Sequence, residues 1–150
     1  MSLGAPQFHR LEIAELKRET ADAVSLTFAV PEELREAYRF AHGQHVTIKI
    51  PIDGEEVRRS YSICSAVDDG ELRIAVKKQA GGVFSTFANE RLKPGELVDV
   101  MTPTGHFTSP LDAKAARTYL GVAVGSGITP ILSIVKTVLQ IEPKSRFFLI

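Results

Sequence analysis

Apolar and polar residues alternate with a period of two over much of the first two-thirds of the chain. That is the pattern of strands with one buried face. It runs through Phe8–Lys17, where Leu11 and Ile13 are followed, after a slip, by Leu16. It recurs in Val24–Phe28 and Val46–Ile50, and further strands are predicted over Val57–Ile63, Leu72–Val76 and Leu97–Met101. Turn-forming residues separate these segments: Pro31, His42-Gly43, Pro51 with Asp53-Gly54, Asp69-Gly70 and Pro94-Gly95. A short helix is predicted over Phe84–Arg91, after Gly81-Gly82, and a helical turn within Glu32–Tyr38. Closely spaced short strands with such turns predict an antiparallel barrel or sandwich.

The pattern changes near residue 112. Asp112–Arg117 is polar and small and reads as a linker. Tyr119–Val124 is apolar without alternation, which predicts a strand buried on both faces, as in parallel sheets. Gly125-Ser126-Gly127 interrupts it. Ile128, Leu132, Val135 and Leu139 then fall on one face of a predicted helix, which ends at Glu142-Pro143. Arg146–Ile150 is a second apolar strand. Strand, glycine turn, helix and strand make a βαβ unit, the opening of a doubly wound parallel α/β nucleotide-binding domain. Two strands and one helix cannot cover both faces of a sheet, so this unit is expected to be incomplete.

Composition narrows the functional classes. The 150 residues carry 18 basic and 18 acidic side chains, a formal net charge of zero. That removes the electrostatic case for nucleic acid or an anionic membrane as partner. With 44 % apolar and 24 % charged residues, the chain has the composition of a folded domain. One cysteine, Cys64, cannot form an internal disulfide, a zinc ribbon or an iron–sulfur cluster, and reads as a small buried residue. His42 and His45 have no evident third ligand, so no metal site is expected, and His106 reads as a loop residue. No apolar run approaches the ~18 residues of a membrane span. The opening Met1-Ser2-Leu3-Gly4-Ala5-Pro6 has no basic-then-apolar leader pattern, and the expected location is cytoplasmic.

Three motifs carry candidate chemistry. In Arg58-Arg59-Ser60-Tyr61-Ser62-Ile63 an extended strand puts Arg59 and Tyr61 on one face. That face offers a guanidinium for phosphate and a ring for a flat ligand, or it is a half-exposed strand with ordinary surface arginines. In Lys77-Lys78-Gln79-Ala80-Gly81-Gly82-Val83-Phe84-Ser85 a strand runs through two glycines into a helix start. That is an anion site built on backbone N–H groups, or a turn with Ser85 as helix cap. Gly125-Ser126-Gly127-Ile128-Thr129-Pro130 is a phosphate-binding turn or simply a tight strand–helix turn. It is no P-loop, because no Gly-Lys-Ser/Thr follows, and Pro130 stands where the dinucleotide fingerprint has its third glycine.

Together and in this order, these motifs resemble the ferredoxin-NADP reductase family. Arg59-Ser60-Tyr61-Ser62 is similar to its flavin motif R-x-Y-S, and Gly82-Val83-Phe84-Ser85 to the following G-x-x-S. Pro103-Thr104-Gly105-His106-Phe107 is similar to P-x-G-x-F, and Gly125–Pro130 to the pyridine-nucleotide turn G-x-G-x-T-P. Stretches such as Phe28-Ala29-Val30-Pro31, Gly43-Gln44-His45 and Tyr61-Ser62-Ile63-Cys64 look like one branch, the reductase components of phenylacetyl-CoA ring-epoxidising oxygenases.

The resemblance implies a six-stranded antiparallel Greek-key β-barrel holding FAD over residues 6–110. It implies an incomplete NAD(P)-binding domain over 117–150. Hydride would pass from NADPH or NADH to FAD, and electrons onward to the oxygenase component of a multicomponent phenylacetyl-CoA system. A [2Fe-2S] domain would belong to the full-length relative and not to this chain, so the chain alone is not expected to support complete electron transfer. The resemblance assigns Arg59 to the flavin pyrophosphate, Tyr61 to stacking on the flavin ring, and Ser62 to a hydrogen bond near the hydride-accepting nitrogen. Ser60 lies within the same motif. Val76 and Lys77 would line the adenosine side by backbone and stem, and Gly82, Val83, Phe84 and Ser85 would give N–H groups to the pyrophosphate. Gly125, Gly127, Thr129 and Pro130 would receive the nicotinamide nucleotide, with Thr129 near its contact with the flavin. No side chain need act as acid or base, because the flavin carries the chemistry. The alternatives are a stand-alone flavin reductase of the same fold and a non-catalytic barrel that docks a partner.

Overall fold

The computed structural model describes residues 5–150. Met1-Ser2-Leu3-Gly4, most of the stretch searched for a leader pattern, lies outside the described residues. Six strands form one antiparallel sheet: β1 (Phe8–Thr20), β2 (Ala23–Ala29), β3 (His45–Ile52), β4 (Glu55–Ser62), β5 (Leu72–Lys77) and β6 (Leu97–Met101). Their order is β4-β3-β6-β1-β2-β5. The sheet curls until its outer strands meet. A single bridge joins Ile63 to Ile74, and the Cys64 N–H donates to the Arg73 carbonyl at 2.9 Å. Curling an open sheet onto itself protects edges that would otherwise pair with other chains. The barrel expected from the strand pattern is present.

Alternation explains why this sheet closes. Leu11 and Ile13, Val24, Leu26 and Phe28, Val46 and Ile48, Leu72, Ile74 and Val76, and Val98 and Val100 all point inward and form one core. The slip in β1 is a bulge. Its register against β2 shifts between Ile13 and Glu15, which returns Leu16 to the packed side. The helical turn after β2 is a 3₁₀ turn at Glu32–Leu34. It delivers Tyr38 into the core, where the hydroxyl donates to the Val100 carbonyl at 2.5 Å. Burial pushes that hydroxyl's pKa up to about 12. Helix α1 (Val83–Glu90) covers the barrel beside β5 and the β3–β4 hairpin. Phe84 and Ala88, four apart, form its buried stripe.

The remaining elements are β7 (Thr118–Gly121), α2 (Ile128–Ile141) and β8 (Arg146–Leu149). β7 and β8 are parallel, with Tyr119 opposite Phe147, and α2 is the crossover between them. Two expectations are corrected here. The first strand stops at Gly121 instead of Val124, and Leu120, Val122 and Val124 are 65 %, 65 % and 86 % exposed. Burial on both faces needs a layer on each, and among the described residues α2 covers one face only. The second correction concerns α2 itself. Its buried residues are Ile131, Ser133, Thr137 and Val138, whereas Ile128, Leu132 and Leu139 of the predicted stripe face outward. The helix is apolar on more than one side, and its polar Ser133, Lys136 and Thr137 bond to the barrel. Among the described residues no helix is long and apolar enough to cross a membrane.

Candidate cofactor site

β4 is where the barrel presents chemistry. It pairs with β3 so that Val57, Arg59 and Tyr61 lie opposite Ile50, Ile48 and Val46. All three β3 residues are core, so Arg59 and Tyr61 stand on the core-facing side of the sheet. Val57 is buried, Tyr61 is half-buried, and Arg59 is exposed. A charged residue at an inward position is unusual, and this one is exposed, two residues from the Tyr61 ring that meets α1. Tyr61 packs on the Phe84 ring of α1, centroid to centroid 5.5 Å at 44°. Burial raises the Tyr61 hydroxyl's pKa, with the Arg59 charge opposing the rise. Arg59 has no carboxylate partner among the described residues, and its one side-chain bond runs back to the Arg58 carbonyl at 2.7 Å. Its neighbour Arg58, on the opposite face, is paired with Glu56 at 2.8 Å. Period-two geometry thus separates a satisfied surface arginine from an unsatisfied inward one.

The neighbouring residues divide in the same way. Ser60 lies on the outer face, where its hydroxyl shares a 2.8 Å hydrogen bond with Thr47, so only its backbone belongs to the inner surface. The Ser62 hydroxyl has no hydrogen-bond partner among the described residues and is half-buried at the strand end. Ile63, next in line, makes the bridge that closes the barrel. Ser62 sits at the closure, opposite His45, with the outward side-chain parity of Ser60.

The start of α1 supplies backbone donors. Val83, Phe84 and Ser85 form its first turn, and no side chain caps it. First-turn N–H groups have no intrahelical acceptor and carry the positive end of the helix dipole. Gly82 has an ordinary φ of −74°, but a Cβ there would stand 2.3 Å from the Ser85 Oγ. Glycine is required by closeness, because Ser85 folds back to accept the Gln79 N–H at 3.0 Å. The Gly82 N–H donates to the Gln79 carbonyl at 3.0 Å, so the donors left open are those of the following residues. Val76 is expected to contribute backbone, not its side chain. It has no exposed surface and its carbonyl accepts from Asn89 at 3.1 Å. Strand alternation assigns Val76 to the core, and Lys77 is the residue of that pair that reaches solvent, 3.8 Å from Asp22.

At the second glycine turn, Gly125 adopts φ +57°, which L side chains rarely adopt. Gly125–Gly127 forms one 3₁₀ turn, and a Cβ at Gly127 would meet nothing. Thr129 donates its hydroxyl to the Ser126 carbonyl at 2.9 Å, and Pro130 occupies the first turn of α2, where no N–H is needed. Polar bonds join this helix to the barrel. Ser133 donates to the Ser65 carbonyl at 2.7 Å, the Val67 N–H donates to Thr137 at 3.2 Å, and Lys136 pairs with Asp69. Ser65 lies three residues after Ser62, and Ser133 one turn after Thr129. The seam therefore brings the α2 turn to the end of β4 that carries the arginine–tyrosine motif.

Three supporting groups carried no sequence signal. Asn89 is buried and ties α1 to β1 and β5. His42 is buried and accepts the Ser109 N–H at 3.3 Å, fixing the segment that leaves the barrel. Burial lowers its pKa below the usual histidine value. Glu142 has no exposed surface. It accepts from Ser145 Oγ at 2.6 Å, Arg117 at 2.9 Å, Tyr119 Oη at 3.0 Å and the Asp112 N–H at 3.1 Å. The Asp112–Arg117 stretch, expected to be a plain linker, is in fact fastened to the end of α2 by this carboxylate. Two surface cavities, of about 470 and 600 Å³, lie elsewhere, around Arg35 and Phe40 and around His9 and Thr104. The β4–α1 site is an open shelf suited to a long ligand laid across it.

Comparison with known proteins identifies the family of the barrel. Residues 10–109 match the family model described as oxidoreductase FAD-binding domain. The chain is 52 % identical over 143 residues to one component of the 1,2-phenylacetyl-CoA epoxidase of Escherichia coli, covering 95 % of this chain and 40 % of that protein. It is 36 % identical over 131 residues to the ferredoxin reductase component of 3-ketosteroid-9-alpha-monooxygenase of Rhodococcus rhodochrous, covering 86 % and 36 %. Among solved structures it superposes on phthalate dioxygenase reductase with a TM-score of 0.75 and 32 % identity, covering 95 % of this chain and 42 % of that one. That structure is described as modular, for electron transfer from pyridine nucleotides to [2Fe-2S]. The chain thus spans about two-fifths of the length of these relatives.

Proposed function

The chain belongs to the oxidoreductase FAD-binding domain family, and from that premise we propose that it is the FAD-holding part of an NAD(P)H-dependent reductase serving an oxygenase of the phenylacetyl-CoA epoxidase type. In this reading residues 6–110 are the FAD-binding barrel, 117–150 begin the NAD(P)-binding unit, and the protein acts in the cytoplasm. The observation that carries it is Arg59, an inward-facing cation without a carboxylate among the described residues, on the same strand face as Tyr61, whose ring packs on Phe84 in the uncapped first turn of α1. A guanidinium and a set of free N–H groups on one shelf suit a pyrophosphate. A half-buried ring two residues away suits a flat aromatic ligand.

The roles proposed for the residues are those that the resemblance to the ferredoxin-NADP reductase family implies, weighed against where the fold puts each one. Arg59 and the N–H groups of Val83, Phe84 and Ser85 hold the phosphates. Tyr61, wedged against Phe84, offers its ring to the flavin, and Ser62, at the strand end, borders the flavin edge. Lys77, with Gly82 just beyond it, borders the adenosine side. Gly125, Gly127, Thr129 and Pro130 receive NADH or NADPH. The bound flavin supplies the redox chemistry, and the protein supplies orientation and charge. The 52 % identity to an epoxidase component favours that oxygenase class as electron acceptor.

The test is the visible absorbance spectrum of the purified chain, with mass identification of any cofactor released on denaturation. FAD, retained or taken up on addition, is expected. A folded, colourless chain that ignores both FAD and FMN would overturn the reading.

A further inference from the structure

Helix α1 has only eight residues, too few to be stable without tertiary contacts. What fixes its direction therefore fixes where its first-turn N–H groups point. Those groups lie by Tyr61, and the opposite end is held by Arg18 of β1. One terminal nitrogen of Arg18 donates to Asn89 Oδ1 at 2.8 Å, and the other to the Asn89 carbonyl at 2.5 Å. That carbonyl is in the last turn of α1, where backbone oxygens lack intrahelical donors and a cation complements the dipole. The Asn89 amide then donates to the Val76 carbonyl at 3.1 Å and to the Ser85 carbonyl at 2.9 Å. So one buried side chain uses both its donors and its acceptor to join α1, β5 and β1. Arg18 has no carboxylate partner among the described residues, and both its terminal nitrogens go to this one residue.

We infer that Arg18 and Asn89 form a positioning clamp that aims the first turn of α1 at the phosphates of the bound dinucleotide. Neither residue touches the ligand. The clamp acts through a rod about 12 Å long, so a small tilt at its far end misplaces all three donors. This inference rests on the reading of Val83–Ser85 as phosphate-binding. Besides the core contacts of Ala88 and Leu92, which fix depth more than direction, the other side-chain polar ties at this end of α1 are exposed ion pairs, Arg91 with Asp53 at 3.0 Å and Lys78 with Glu90, and such pairs hold geometry weakly.

Two ligands separate positioning from folding. FAD carries the pyrophosphate, and riboflavin has the same ring system with no phosphate. Dissociation constants for both are measured on the 150-residue chain as wild type, Arg18→Gln, Arg18→Lys and Arg91→Ala. Arg18→Gln is expected to weaken FAD about tenfold while riboflavin changes less than about twofold. Arg18→Lys is expected to lose most of the same ratio, because an ammonium cannot span both acceptors. Arg91→Ala is expected to leave the ratio unchanged. Wild type binding riboflavin as tightly as FAD would overturn the phosphate-site reading itself. Wild type preferring FAD while Arg18→Gln keeps the wild-type ratio would overturn the clamp alone, as would an equal effect of Arg91→Ala. If the Gln variant does not fold, the Lys variant decides the question by the same ratio.

Discussion

The barrel and the β7–α2–β8 unit face the same problem, an apolar surface to be covered, and meet it differently. In the barrel, the strands of one curled sheet bury a shared face against each other, and the outer edges join at Ile63 and Ile74. In the second unit, one helix lies on two strands, and Leu120, Val122, Phe148 and Leu149 stay exposed. The barrel is held by its core. The second unit is held to the barrel by the Ser65–Ser133, Val67–Thr137 and Asp69–Lys136 bonds, and to its own connector by Glu142. A closed core can carry a charged residue such as Arg59 at an inward position, because the surrounding sheet supplies the stability. The glycine turn at Gly125 rests on a polar seam and so depends on individual hydrogen bonds.

The largest expected effect falls on the core. Ile48→Ala, opposite Arg59 in the ladder, should cost about 2–5 kcal/mol in urea unfolding, whereas Leu132→Ala on the exposed side of α2 should cost under about 1 kcal/mol. Equal costs would erase the contrast between the two regions. The next effect depends on pH. The Ser145 hydroxyl and the other donors hold the Glu142 carboxyl below the usual carboxylate pKa. A depressed carboxylate contributes stability in full above its unfolded value of about 4.3, and that contribution is lost as pH falls through the folded value. Hydrogen exchange should show residues 118–149 losing protection on acidification before the barrel strands do. Glu142→Gln should reduce that acid dependence and lower protection at neutral pH. A smaller effect is expected from Ser133→Ala. It removes one buried bond to the Ser65 carbonyl and should loosen the second unit by about 1 kcal/mol, leaving the barrel's unfolding midpoint unchanged.

The two regions were also unequally legible in the sequence. Each barrel strand buries one face, so alternation located three of them and apolar runs between turn signals the other three, and even the slip at Leu16 proved to be a bulge. Period two also put Arg59 and Tyr61 on a common face. It did not show that Arg59 lacks a carboxylate while Arg58 has one, because pairing depends on which strand lies alongside. In the second unit, apolarity marked β7 and α2 but misjudged which surfaces are covered. A helix apolar on two sides has no unique inward stripe, and Ser133 and Thr137 face the barrel through hydrogen bonds that hydropathy does not register. Asn89, His42 and Glu142 were invisible for a related reason. A lone polar residue is buried only because donors distant in sequence converge on it.

The central claim is that Arg59 and the first turn of α1 hold a dinucleotide's phosphates on the barrel. Titration calorimetry of FAD into the wild-type chain and into Arg59→Ala tests it most directly, with thermal unfolding of both apo-proteins as the reference for folding. Losing charge-assisted bonds to phosphate should cost about 1.5–3 kcal/mol of binding, roughly 10- to 150-fold in affinity, with little change in the unfolding midpoint because Arg59 is exposed. Equal FAD affinity in the two proteins would contradict the account.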